Sequence, residues 1–182
     1  MSSPPGRRTK AAESDRRSSW YGLGTYTNAE KDSFGRFLDD VVFTFADVSV
    51  FGILALGAVA ASLDTRGVGL QATALFAWVT MSLLAALLRG GWIRPLGTRV
   101  RGWVAWTPSM VLLRLVYYNA TLALATLGGV GLANLSGVPA MAGTTAVVVA
   151  GLATASFPKT AELVARQVAR YWPTGVPGEY RL

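Results

Sequence analysis

Residues 108–132, PSMVLLRLVYYNATLALATLGGVGL, form an apolar run longer than the roughly 20 helical residues that cross a hydrocarbon core about 30 Å thick. A single charge, Arg114, interrupts it. Three more apolar runs, 41–62, 68–88 and 138–157, are long enough to do the same. With 52% hydrophobic residues and a mean hydropathy of +0.38, the chain is more apolar than a soluble domain of its length. The fold class that follows is an all-α membrane protein with four transmembrane helices at 41–62, 68–88, 108–132 and 138–157.

The cations around these runs orient them. Residues 1–40 hold seven Lys/Arg, 89–103 hold four and 158–182 hold four, whereas the other two connections offer only Arg66. Lys and Arg accumulate in cytoplasmic loops, so the pattern predicts a multi-pass protein of the cell membrane with both termini in the cytoplasm. The pI near 10.2 then points to anionic headgroups and not to nucleic acid, because the cations border apolar runs instead of forming one basic module. Arg outnumbers Lys by 14 to 3 while Ala, Gly and Val fill the helices, which reads as the usage of a GC-rich prokaryotic genome. There is no Cys and no His, which removes thiolate metal sites, disulfides and the usual proton shuttle. No metal and no cofactor is expected.

Residues 1–18 contain no apolar side chain larger than Ala after Met1 and read as a disordered cytoplasmic tail. Residues 19–40 read as a cytoplasmic interfacial segment: Thr27 and Glu30 make a capping box, and Phe34, Phe37, Leu38 and Val41 recur at helical spacing. An amphipathic helix of that kind lies at the headgroup boundary or simply extends the first span. At the other end, Pro158 closes the fourth run, and 158–182 reads as a second amphipathic helix and tail with Arg166 and Arg170 on its polar side. Short amphipathic interfacial helices are thus expected at both cytoplasmic ends.

The connection after the second run alternates Arg with Trp and is broken by Gly90, Gly91, Pro95 and Gly97, as suits a loop at the interface. Trp92, Arg94, Arg99, Arg101, Trp103 and Trp106 are its expected contacts with anionic lipid, joined by Arg166 and Arg170. Thr107 and Pro108 then mark the start of the third helix. The outer connections, 63–67 and 133–137, are too short for a binding domain, and the glycosylation-like triplets at Asn119 and Asn134 are chance matches in or against the bilayer.

Two ionisable residues fall inside the predicted spans, Asp47 and Arg114, and at a helix centre each costs roughly 2.5–3.5 kcal/mol to insert. Both lie six residues in from the cytoplasmic end of their helix, about 9 Å at 1.5 Å per residue, so an ion pair is feasible. The bland alternatives are that Arg114 snorkels to the headgroups and Asp47 is protonated. On helix three Arg114, Tyr117, Tyr118, Thr121, Ala125 and Gly128 share a face, and on helix one Asp47 is followed by Gly57, Ala58 and Ala61. Small residues allow close approach, so the expectation is two helices touching near the outer surface and splaying around an inward vestibule lined by Asp40, Tyr117, Tyr118 and Thr121. The alternative for Asp39 and Asp40 is that they are anions at a helix N-terminus. Helix four, with Gly143, Ala146, Ala150, Gly151 and Thr154, asks for helical neighbours within the bundle or in another subunit.

No phosphate-binding loop with Lys, Gly-x-Ser-x-Gly elbow or paired carboxylates with a base occur, and Gly128, Gly129 and Gly131 follow a membrane helix instead of a strand. No catalytic residue and no enzyme is expected. The leading expectation is a scaffold or accessory subunit of a membrane assembly, with other membrane subunits or copies of itself as partners. The alternative is a small ion- or proton-coupled transporter or channel using Asp47 and Arg114.

Overall fold

A computed structural model describes residues 33–62, 69–98 and 107–171, and all regular structure among them is helical. The helices are α1 (Ser33–Phe51), α2 (Ile53–Ala60), α3 (Leu70–Gly90), α4 (Pro108–Ser136) and α5 (Ala140–Tyr171). The expected tail 1–18, the capping box at Thr27 and Glu30, the connection with Arg66, Arg99, Arg101, Trp103, Trp106, the side chain of Arg170 and residues 172–182 lie outside the described residues. Three helices, Leu70–Gly90, Pro108–Ser136 and Ala140–Val168, are long and apolar enough to cross a membrane. α1 and α2 meet that test only together, as a pair bent by 72°.

Local chemistry sets the ends. α3 closes on Gly91 at φ 76°, a left-handed C-cap whose N–H, with that of Trp92, returns to the carbonyls of Leu88 and Leu87. α4 opens with Pro108 at its first turn, where no N–H is needed, although the Thr107 hydroxyl lies 3.2 Å from Ser109 Oγ instead of capping the helix. Gly137 at φ 69° ends α4 and turns the chain directly into α5.

Three expected boundaries differ. The interfacial segment 19–40 is not separate from the first span where it is described, because α1 runs unbroken from Ser33 to Phe51. Phe34, Leu38, Val42 and Phe45 make one exposed apolar stripe across the expected boundary at residue 41. Nor does Pro158 end a helix: α5 continues through it to Tyr171. Proline removes one N–H from the ladder, and at that level the N–H of Leu96, from the connection after α3, donates to Ala155 O at 3.0 Å. The third difference is a break at Gly52 inside the expected first span, where a Cβ would lie 2.6 Å from Leu122 Cδ1 and from Val48 O.

α5 packs along α3 and α4, and α1 packs on the other side of α3, so the α3–α4 pair separates α1 from α5. The core is made of small side chains, with Ala77, Ala85, Ala125, Ala142, Ala146 and Ala150 fully buried beside Met81, Leu122 and Phe157. Leu112, Val116, Leu124 and Leu127 of α4 point outward. In water that exposure would be a liability; in lipid it is the solvated face. The α1–α2 pair lies antiparallel to α3 along its whole length: Arg89 Nε meets Asp40 Oδ1 at 3.4 Å, Thr44 Oγ1 donates to Ser82 O at 2.8 Å, Trp78 Nε1 donates to Ser49 Oγ at 3.1 Å, and Gln71 Nε2 donates to Ser62 O at 3.2 Å.

Candidate functional site

α1 and α4 bring the two intramembrane charges together. Arg114 Nη1 donates to Asp47 Oδ1 at 3.2 Å, and Tyr118 Oη donates to Asp47 Oδ2 at 3.1 Å. Each carboxylate oxygen therefore receives a donor, and the guanidinium also lies 5.7 Å from the centre of the Phe51 ring. The side chains of Arg114 and Asp47 are 2% and 3% exposed. Phe51 and Phe157 stand edge-on or tilted against Tyr118, with ring centres 6.5 and 5.3 Å away, and wall the group in. At such burial the loss of one partner leaves an uncompensated charge, while the intact pair returns only part of its desolvation.

The expected vestibule is not assembled. Tyr118 joins Asp47, but Tyr117 turns to α5, where its hydroxyl donates to Ala153 O at 2.8 Å and its ring meets Phe157. Thr121 is buried farther along α4. Asp40 belongs to the α1–α3 seam with Arg89, whose guanidinium carbon sits 3.3 Å from the Phe43 ring centre. The dipole account of Asp40 also fails, since α1 starts at Ser33 and Asp40 lies past its first turn. The charged pair is packed shut, and two of the small residues expected to bring the helices together beyond it stand open: a Cβ on Gly57 or Gly128 would meet nothing within 4 Å.

Asn119, part of a chance triplet by sequence, sits at the centre of the α1–α4 contact. Asn119 Nδ2 donates to Phe51 O at 2.6 Å, and Asn119 Oδ1 accepts from Ala55 N at 2.8 Å. In an unbroken helix Ala55 N–H would donate to Phe51 O directly. The carboxamide inserts into that one bond and satisfies both of its ends. A side chain entering the ladder is a recognised cause of a sharp kink, and here Gly52 supplies the room. The only sequence signal was an Asn in a membrane helix one residue from the tyrosine that holds Asp47.

The expected lipid-contact residues that are described sit together at one end of the bundle. Trp92 is exposed and edge-on to Phe37, with ring centres 6.2 Å apart. Arg94 and Arg166 line one open cleft with Lys159 and Glu162. Among the described residues no three His, Cys, Asp or Glu side chains converge as a metal site would require.

Helices of membrane length around a buried ion pair define the class, a helical membrane protein with an ionic lock between its first and third long segments. Residues 31–164 match a family described as "Domain of unknown function (DUF8215)", and the chain belongs to that family. No curated protein and no solved structure matches the chain.

Proposed function

We propose that the chain crosses the cell membrane four times with both termini in the cytoplasm, and that it works by association, as a scaffold or accessory subunit of a membrane assembly and not as an enzyme. The observation that carries the association reading is where its polar groups point. Asp47 is held by Arg114 and Tyr118, Asn119 by backbone and Asp40 by Arg89, all inside the bundle, while the outward faces of α4 and α5 present Leu112, Val116, Leu124, Leu127, Val148 and Leu152. Buried carboxylates and a buried carboxamide held by the bundle's own contacts support a structural part, with specificity left to the outer faces and the basic end.

Four crossings are supported by the ladder of contacts along α3. The bent pair starts beside Arg89 and finishes beside Gln71, the two ends of α3, as a broken span does and a re-entrant loop does not. Charge agrees. Were α1 and α2 re-entrant, the cations of 1–40 and Arg66 would face one side and the two groups of four the other, with no bias; four crossings put all but Arg66 and Arg114 on the inner side. The chain has no cysteine, so single cysteines at Ser33 and Ser136 report topology directly. They should react with an impermeant maleimide from opposite sides; labelling from one side would overturn four crossings.

Association is tested by extraction with native lipid and mass spectrometry of the intact particle. A defined complex with another membrane subunit is expected, and a lone chain or clean homomer would overturn the accessory-subunit reading. A second reading, ion- or proton-coupled transport, draws on the break at Gly52 beside Asp47, since transporters build midplane sites at interrupted helices. Under it, Asp47→Asn abolishes a pH-driven flux in liposomes; under association the parent protein has no such flux.

A further inference from the structure

The described part of the connection after α3, residues 91–98, lies against α5. Leu96 is tied by its N–H to Ala155 O, and Gly97 turns at φ 70° above the Lys159 stem. The turn and the last third of α5 enclose an open cleft of about 560 Å³, lined by Arg94, Thr98, Lys159, Glu162 and Arg166 among others. Glu162 forms its buried floor. It pairs with Lys159 Nζ at 3.3 Å and with Arg166 Nη2 one turn on, and takes a hydrogen bond from Thr98.

This is a built arrangement more than a solvated run of charge. Three cations face one carboxylate, an excess of two positive charges in one concavity. The Glu162 side chain is 7% exposed, whereas those of Lys159 and Arg166 are 41% and 59% exposed. The carboxylate therefore anchors the two cations from below. Lysine carries three donors and arginine five in a planar fork, so each has donors beyond the one it gives Glu162. Fork donors spaced around a concave surface suit the oxygens of a phosphate group. Its surroundings are those of a headgroup: Trp92, Ile93 and Leu96 are exposed apolar side chains beside it, at the end of α3 where the hydrophobic run stops.

We propose that this cleft is a phosphate site, filled by the phosphate of an anionic lipid headgroup at the inner membrane boundary. The lipid source rests on the membrane reading but not on the choice between association and transport, and free phosphate shares the same chemistry. The test uses the full chain, stripped of lipid in an uncharged detergent and titrated by native mass spectrometry with phosphatidylglycerol, phosphatidylcholine and inorganic phosphate. One phosphatidylglycerol per chain should bind at least about tenfold tighter than phosphatidylcholine. Arg94→Gln, exposed and outside the Glu162 pairs, should remove about that factor while the protein stays folded; Arg36→Gln, the same charge change elsewhere on α1, should not. Failure of millimolar phosphate to compete assigns the site to the headgroup, and competition assigns it to the free anion. Equal loss in both variants, or no preference over phosphatidylcholine, would overturn the site, and neither result bears on the number of crossings or on subunit association.

Discussion

Two seams meet along α4 and hold by different physics. Toward α1 and α2, α4 offers Arg114, Tyr118 and Asn119, and the contact is a set of directional bonds to a carboxylate and to a broken backbone. Toward α5 it offers Ala125, Gly129 and Ala133, and the contact is close approach: a Cβ on Gly129 would sit 2.6 Å from Ala142 O. Lipid tails are as apolar as leucine, so helices in a bilayer gain nothing from hiding apolar surface. What remains is to satisfy groups that lipid penalises or to bring backbones within dispersion range. The first seam does the one, and the second, apart from the Tyr117 hydroxyl on Ala153 O, does the other. Polar bonding fixes register and tolerates little; close packing is graded and loses strength with each added atom.

The contrast can be broken in order of size. Arg114→Leu or Asp47→Leu strands a buried charge and should destabilise the lipid-embedded protein by about 3–5 kcal/mol. Exchanging the two as Asp47→Arg with Arg114→Asp should recover part of that loss in a thermal unfolding series, and no recovery would mean the pair does not act as a unit. Asn119→Ala leaves Phe51 O and Ala55 N–H without their carboxamide, for a loss of about 1–3 kcal/mol; a tighter bond between those two atoms, read as a straighter first span, would show the break to be imposed by Asn119 alone.

On the packed seam, Gly129→Val should cost about 1–3 kcal/mol by forcing α4 from α5, whereas Gly128→Val, one residue away with nothing within 4 Å, should be close to neutral. Equal effects would remove the packing account. Tyr118→Phe is the smallest probe. It deletes one donor to Asp47 and should lose about 0.6 kcal/mol, the usual worth of a hydrogen bond between membrane helices.

Much of the packed seam and of the charged pair can be read from residues. Apolar length marks the three long helices, and matching depth places Asp47 opposite Arg114. Gly128, expected to meet the first helix, has nothing within 4 Å, while Gly129 packs instead against Ala142 of α5 and Thr73 of α3. The break at Gly52 left no local mark: glycine is ordinary in membrane helices, and its partner Asn119 is far along the chain. Pro158 misled for a related reason. Proline removes one bond of the ladder without ending this helix, and the described part of the connection after α3 adds the Leu96 N–H to Ala155 O in the same turn. The break at Gly52 in particular rests on backbone groups satisfied from a distant part of the chain, which windowed periodicity cannot register.

Asn119 also imposes an order on how the molecule is made. The bent α1–α2 pair contains a backbone bond that its own residues do not close, and the group that fills it is synthesised 68 positions after Phe51. A chain emerging from the ribosome must therefore carry an unfinished first helix through the making of α3 and of the early turns of α4. Completion of the α1–α2 bend and docking of α4 are one event, so a truncation just before Asn119 should leave an amino-terminal fragment that does not settle into its bend.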